Sequence, residues 1–244
     1  MASTPQSSDP PEPALPFAGA SGRGLRVAVI DSGVNPRHSH ILSVAGGVSI
    51  LGPGKIEEDS FLDLLGHGTA VMAAIQEKAP GAEYFAVKLF HTSLRAAAPA
   101  LLAALEWALA KGVDVVNLSL GVLNFDYEAR LQALVQQAAV RGILVVSARG
   151  ANGRPCLPGS LPGAIGVDLD WDCPRTRYRL KHVGSNLFYS ASGYPRSLPG
   201  VPRERNLHGA SFAVANMSGF ILRARESASA QDVHAALARE AEGL

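Results

Sequence analysis

A chain of 244 residues is long enough for one large α/β domain with a sizeable core. Its 22 Lys and Arg against 21 Asp and Glu leave a formal charge of +1, so no global field draws it to nucleic acid or an anionic membrane, and function has to reside in a local site. The composition, 47% hydrophobic and 18% charged, excludes a wholly disordered chain, and polar residues interrupt every apolar run too soon for a membrane span.

Residues 1–24 read as a flexible leader, rich in Pro and Ser and without periodicity over 2–21. They carry neither the basic start nor the continuous apolar stretch of a secretory signal, so a cytoplasmic protein is expected. Cys156 and Cys173 are too few for a disulfide scaffold and are read as two thiols. One domain is expected over residues 25–244.

From Leu25 the pattern changes. Residues 25–30 form a β-branched run stopped by Asp31-Ser32-Gly33, as a buried strand ending in a loop would be. Similar strands are expected at 84–89, 113–118, 143–147 and 164–167. Between them, Pro99 fits the first turn of a helix that carries Lys111 in its last turn and stops at Gly112. Asp126 is expected to cap a second helix reaching Arg141. Residues 209–225 read as an apolar helix, and Ser229-Ala230-Gln231-Asp232 as the start of an amphipathic one. Strand, helix and strand at this spacing predict right-handed βαβ units in an α/β fold, three layers α/β/α around a central, mostly parallel sheet. Residues 175–182 alternate basic side chains with others; as a strand they put Arg175, Arg177, Arg179 and Lys181 on one face, either a charged, solvated edge or a dock for an acidic partner.

Ligands gather beyond the C-terminal ends of parallel strands, and Asp31 sits at such an end. His67, in Gly66-His67-Gly68-Thr69, opens a small-residue helix whose flanking glycines permit close backbone approach. Ser211, in Gly209-Ala210-Ser211-Phe212-Ala213, also opens a helix, near a partial positive charge that favours a developing anion. A serine hydroxyl needs a base, and the base needs a carboxylate that fixes its tautomer and charge. Asp31, His67 and Ser211 supply these three roles.

In order and surroundings these motifs resemble the subtilisin-like serine protease family, the subtilases: Val27-Ala28-Val29-Ile30-Asp31-Ser32-Gly33 its aspartate motif, His67-Gly68-Thr69 its histidine motif, and Gly209-Ala210-Ser211-Phe212-Ala213 its serine motif. The Asp, His, Ser order is the one already known for subtilisin. The resemblance implies a subtilisin-like fold, Asp31, His67 and Ser211 as a catalytic triad, a peptide or protein substrate, and no cofactor. It also implies that Ser119, Leu120, Gly121 and Gly150 line the acyl side of the cleft, with Leu94, Arg95 and Ala96 as its opposite rim. Arg95, Arg149 or Arg154 would then favour acidic groups on the substrate.

Several positions depart from the family pattern. Ala151 occupies the slot of the asparagine that donates to the oxyanion, with Asn152 one position later as a substitute. Ala210, Ala215 and Ala70 replace a threonine, a proline and a second histidine. His40 takes the place of a calcium-binding carboxylate and the loop after the histidine helix is short, so no metal site is expected at His38-Ser39-His40 or elsewhere. The expected activity is a selective intracellular processing endopeptidase, for example one maturing a ribosomally made peptide precursor, without nucleic-acid or membrane partners. A catalytically silent peptide-binding protein and a peptide ligase or macrocyclase are the alternatives.

Overall fold

The computed structural model describes residues 14–119, 121–151, 153–183 and 186–242. The sheet has nine strands: β1 (Arg26–Asp31), β2 (Gly46–Gly52), β3 (Lys55–Glu58), β4 (Glu83–Lys88), β5 (Val115–Leu118), β6 (Leu144–Ala148), β9 (Ile165–Leu169), β10 (Tyr178–Val183) and β11 (Asn186–Ala191). Their order is β10-β11-β9-β6-β5-β1-β4-β2-β3. Every pairing from β11 to β2 is parallel, and β10 and β3 add antiparallel edges. Two short strands, β7 (Gly150–Ala151) and β8 (Arg154–Pro155), form a separate hairpin.

The central strands are the β-branched runs that the sequence marks. Val27, Ala28, Val29 and Ile30 are buried on both faces, which only a strand covered by two helix layers permits. One layer holds α1 (His67–Gln76), α4 (Ala210–Arg225) and α5 (Val233–Glu240). The other holds α2 (Ala98–Lys111) and α3 (Glu128–Val140). The expected α/β/α architecture is therefore present. No helix among the described residues is long and apolar enough to cross a membrane.

The helix ends divide by the quality of their signals. Pro99 lies in the first turn of α2, and Gly112 ends it in the left-handed region at φ 68°. Asp126 does not cap α3. A 3₁₀ turn over Phe125–Tyr127 intervenes, and Asn124 Oδ1 accepts from the Asp126 N–H instead, so α3 starts at Glu128. Ser229 and Asp232 bond each other in the turn before α5. The basic stripe is also shorter than expected: Arg175 and Arg177 lie in the turn before β10, which starts at Tyr178. Arg175 pairs with Glu77 and Arg179 with Asp170 at 2.7 Å. Two of the four basic residues are thus paired with acids inside the protein.

Part of the expected flexible leader is ordered. Residues 14–24 are strapped to α4: Arg223, buried, donates to the carbonyls of Pro16 (2.7 Å), Phe17 (2.8 Å) and Lys78 (2.9 Å). Glu226 Oε2 accepts from the backbone N–H groups of Ser21, Gly22 and Arg23. Leu15 and Phe17 pack on the core beside them. Arg223→Met should leave these three carbonyls without their donor and cost about 3 kcal/mol in chemical denaturation, with faster proteolysis of residues 14–24.

Candidate active site

Asp31 ends β1, the strand between β5 and β4, and its side chain is fully buried. Its Oδ1 accepts from the Ser32 N–H at 2.7 Å and lies 2.7 Å from His67 Nδ1. A buried carboxylate accepts, so Nδ1 carries the proton and Nε2 is left as the basic nitrogen. Asp31 Oδ2 is buried with no hydrogen-bond partner, which makes the imidazole the main compensation for the charge.

A second carboxylate, which sequence reasoning missed, holds the loop around His67. Asp63 Oδ1 accepts from Ser32 Oγ, the Leu65 N–H and the Gly66 N–H, each at 2.9 Å. Its Oδ2 accepts from the Thr69 N–H and hydroxyl. Ser32 Oγ in turn accepts from the Gly68 N–H at 2.8 Å. These donors hold Asp63 below the usual carboxylate range although burial opposes them. The signal in sequence was an Asp four residues ahead of a helix start, an ordinary turn placement.

The two glycines beside His67 act differently. A Cβ on Gly68 would stand 2.2 Å from the Gly33 carbonyl oxygen, so glycine is what lets α1 dock on the loop after β1. Gly66 faces open space and serves by its left-handed turn at φ 80°.

Ser211 lies in the first turn of α4, and the ring of its neighbour Phe212 is 5.6 Å from the His67 ring. Asp31 and His67 are therefore in contact, and the first turn of α4 packs beside them through Phe212. The Ser211 hydroxyl donates to the Ser119 carbonyl at 2.9 Å, which ties the helix to the end of β5. Ser119 Oγ accepts from Asn117 Nδ2, and Asn117 Oδ1 accepts from Ser218 of α4. Gly121 is exposed on one side and rests on Cys156 on the other; a Cβ there would stand 2.4 Å from the Cys156 Cβ.

Leu94, Arg95 and Ala96 form an exposed segment between β4 and α2. Gly150 lies in the β7–β8 hairpin. Leu120 and Asn152 lie outside the described residues. Arg149 grips Asp168 Oδ2 through Nε (3.0 Å) and Nη2 (2.8 Å) and covers the Phe188 ring. No three His, Cys, Asp or Glu side chains gather as a metal site among the described residues.

The model of the subtilase family matches residues 22–168, and Subtilisin BL of Lederbergia lenta is 34% identical over 220 residues, covering 85% of this chain and 78% of that protein. The chain belongs to the subtilase family. It is a subtilisin-like serine protease, a hydrolase of peptide or protein substrates. The matched residues include Asp31 and His67 and stop before Ser211. Two solved structures share the subtilase fold: a psychrophilic protease with a TM-score of 0.69 at 22% identity, covering 88% of this chain and 82% of that one, and a lanthipeptide protease with 0.68 at 19%, covering 90% and 80%.

Burial of the His67 ring lowers its pKa, but the hydrogen bond and charge of Asp31 and the charge of Asp63 raise it by more, so the net shift is upward. A base works only when neutral, so kcat/KM should rise with pH through an apparent pKa above the ordinary histidine value of about 6.5. Asp31→Asn should move that limb to lower pH and reduce the rate on the order of 10⁴-fold in the pH profile. Gly68→Ala should cost at least about 3 kcal/mol in thermal or chemical unfolding, because the obstructing atom is backbone.

Proposed function

We propose that Asp31, His67 and Ser211 are the catalytic triad of an endopeptidase that processes a dedicated peptide precursor in the cytoplasm. The observation that carries this reading is the 2.7 Å contact between the buried Asp31 carboxylate and His67 Nδ1 beside the first turn of α4. On this reading the Ser211 hydroxyl exchanges its bond to the Ser119 carbonyl for one to His67 Nε2 when substrate is bound.

Ser211 Oγ then attacks the scissile carbonyl carbon while His67 Nε2 takes the hydroxyl proton. Asp31 stabilises the imidazolium. The oxyanion faces the N-terminal end of α4, where backbone N–H groups lack helical acceptors. The carbon–nitrogen bond breaks as His67 protonates the leaving amine. Water, deprotonated by His67, releases the acyl group and restores Ser211.

A dedicated peptide substrate is supported by a lanthipeptide protease being among the structures that share the fold. The cytoplasmic assignment is supported by the two cysteines, both buried thiols. Burial pushes the Cys173 pKa up to about 11, and its Sγ stays 3.4 Å from the Arg177 carbonyl.

One observation favours a second reading, a peptide-binding protein that does not turn over: Ala151, at the family's oxyanion slot, has no side-chain donor, and losing such a donor costs on the order of 10²–10³ in rate. A fluorophosphonate probe separates the two. The protease reading predicts one probe mass on the wild-type chain and none on Ser211→Ala; an unlabelled, well-folded wild type would establish the binding protein. Product masses from a cleaved peptide then distinguish hydrolysis, which adds one water, from ligation, which adds none.

A further inference from the structure

Between the loop that leads into His67 and the loop that leads towards Ser211 lies a pocket of about 290 Å³. Leu64, Leu198 and Leu207 give it apolar walls, and Ala70 of α1 opens its side. The family pattern places a histidine at the Ala70 position, so a methyl group there leaves room that a ring would fill. The polar lining holds one cation, Arg196, two imidazoles and one carboxylate. His38, His40 and Arg196 face the pocket, and the one lining carboxylate, Asp63, already accepts five hydrogen bonds from Ser32, Leu65, Gly66 and Thr69.

Arg196 and the two imidazoles are lightly used. Arg196 Nη1 reaches the His40 carbonyl at 3.5 Å, the outer limit of a hydrogen bond. His38 Nδ1 accepts from the His40 N–H at 3.2 Å, so its proton sits on Nε2, and the two rings meet edge to face. His40 is shifted downward by burial first and then by Arg196, His38 and Arg175, against Glu77, which Arg175 and Lys78 already neutralise. The downward shift favours the neutral His40 ring, a hydrogen-bond donor, and leaves Arg196 as the cation of the lining.

The position of the pocket says which half of the substrate reaches it. It is built on α1, on the opposite face of the sheet from α2, and none of its lining belongs to the acyl-side residues 94–96 or 119–121. Gly66 adjoins His67, and Leu207 precedes Ser211 by four residues. We propose that this pocket is a specificity site for the leaving half of the substrate, receiving an Asp or Glu side chain whose methylenes lie on the leucines and whose carboxylate is held by Arg196 and the two histidines. This rests on the catalytic reading above, in which the acyl half lies along residues 119–121.

The test uses Ser211→Ala, which holds a peptide without cleaving it. Fluorescent peptides share one acyl half and carry Glu or, as control, Gln at one of the first four positions of the leaving half; Kd is read by anisotropy. At one position Glu should bind about tenfold more tightly than Gln, as a charge-assisted contact would give. Adding Arg196→Gln should bring the pair within about twofold, and Ala70→Phe, which fills the pocket and excludes either side chain, should likewise remove the difference between the two peptides. Equal Kd values at all four positions, or a preference that survives both substitutions, would overturn the pocket. Probe labelling of wild type decides the catalytic reading separately: labelling without a Glu preference defeats the pocket alone, and a Glu preference without labelling defeats the catalytic reading alone.

Discussion

The structure of this site depends on one buried charge. Asp31 ends the central strand of the sheet with no exposure to solvent, and burying an unpaired carboxylate is far too costly for a fold of ordinary stability. One oxygen is met by the Ser32 N–H and His67; the other has no hydrogen-bond partner. The imidazole is therefore held by the same need that holds the carboxylate. Asp63, Ser32 and Gly68 form the frame that keeps α1 close enough for the contact, and the frame closes only because residue 68 lacks a Cβ.

Topology brings the remaining parts to that point. β1 lies between β5 and β4, so the chain leaves the central strand in one direction and later returns on its other side, which opens a crevice at the C-terminal ends. Asp31 stands at the end of β1 and Ser119 just past the end of β5. α1 and α4 cover the same face, and α4 delivers Ser211 to the crevice while Asn117 and Ser218 tie it to β5. At the far end of α4, Arg223 and Glu226 fasten residues 14–24, so the helix that presents Ser211 is fixed at both ends.

The central parallel strands β1, β4, β5, β6 and β9 were legible because they are buried and read as short apolar runs, whereas β11, Asn186–Ala191, has no β-branched residue and gave no such signal. The β2–β3 hairpin was not legible either: β3 is exposed along its length, and Gly46-Gly47 looks like a loop although Gly47 is there to let β2 approach Ala86. Asp126 misled because Asn124, two residues earlier, makes the competing turn. The basic stripe misled because alternation says nothing of the acids, Glu77 and Asp170, that the fold brings to it. At the site, Asp31, His67 and Ser211 stood out by motif, whereas Asp63 and the pocket at His38, His40 and Arg196 depend on contacts between loops distant in sequence.

The central claim is that the buried Asp31 carboxylate sets the charge state of His67, and NMR titration of the His67 ring nitrogens tests it most directly. The account predicts an imidazole that titrates above about 6.5 with its proton on Nδ1 when neutral, and a marked downward shift in Asp31→Asn. A ring that titrates at the ordinary value in both proteins, or that carries its neutral proton on Nε2, would contradict it.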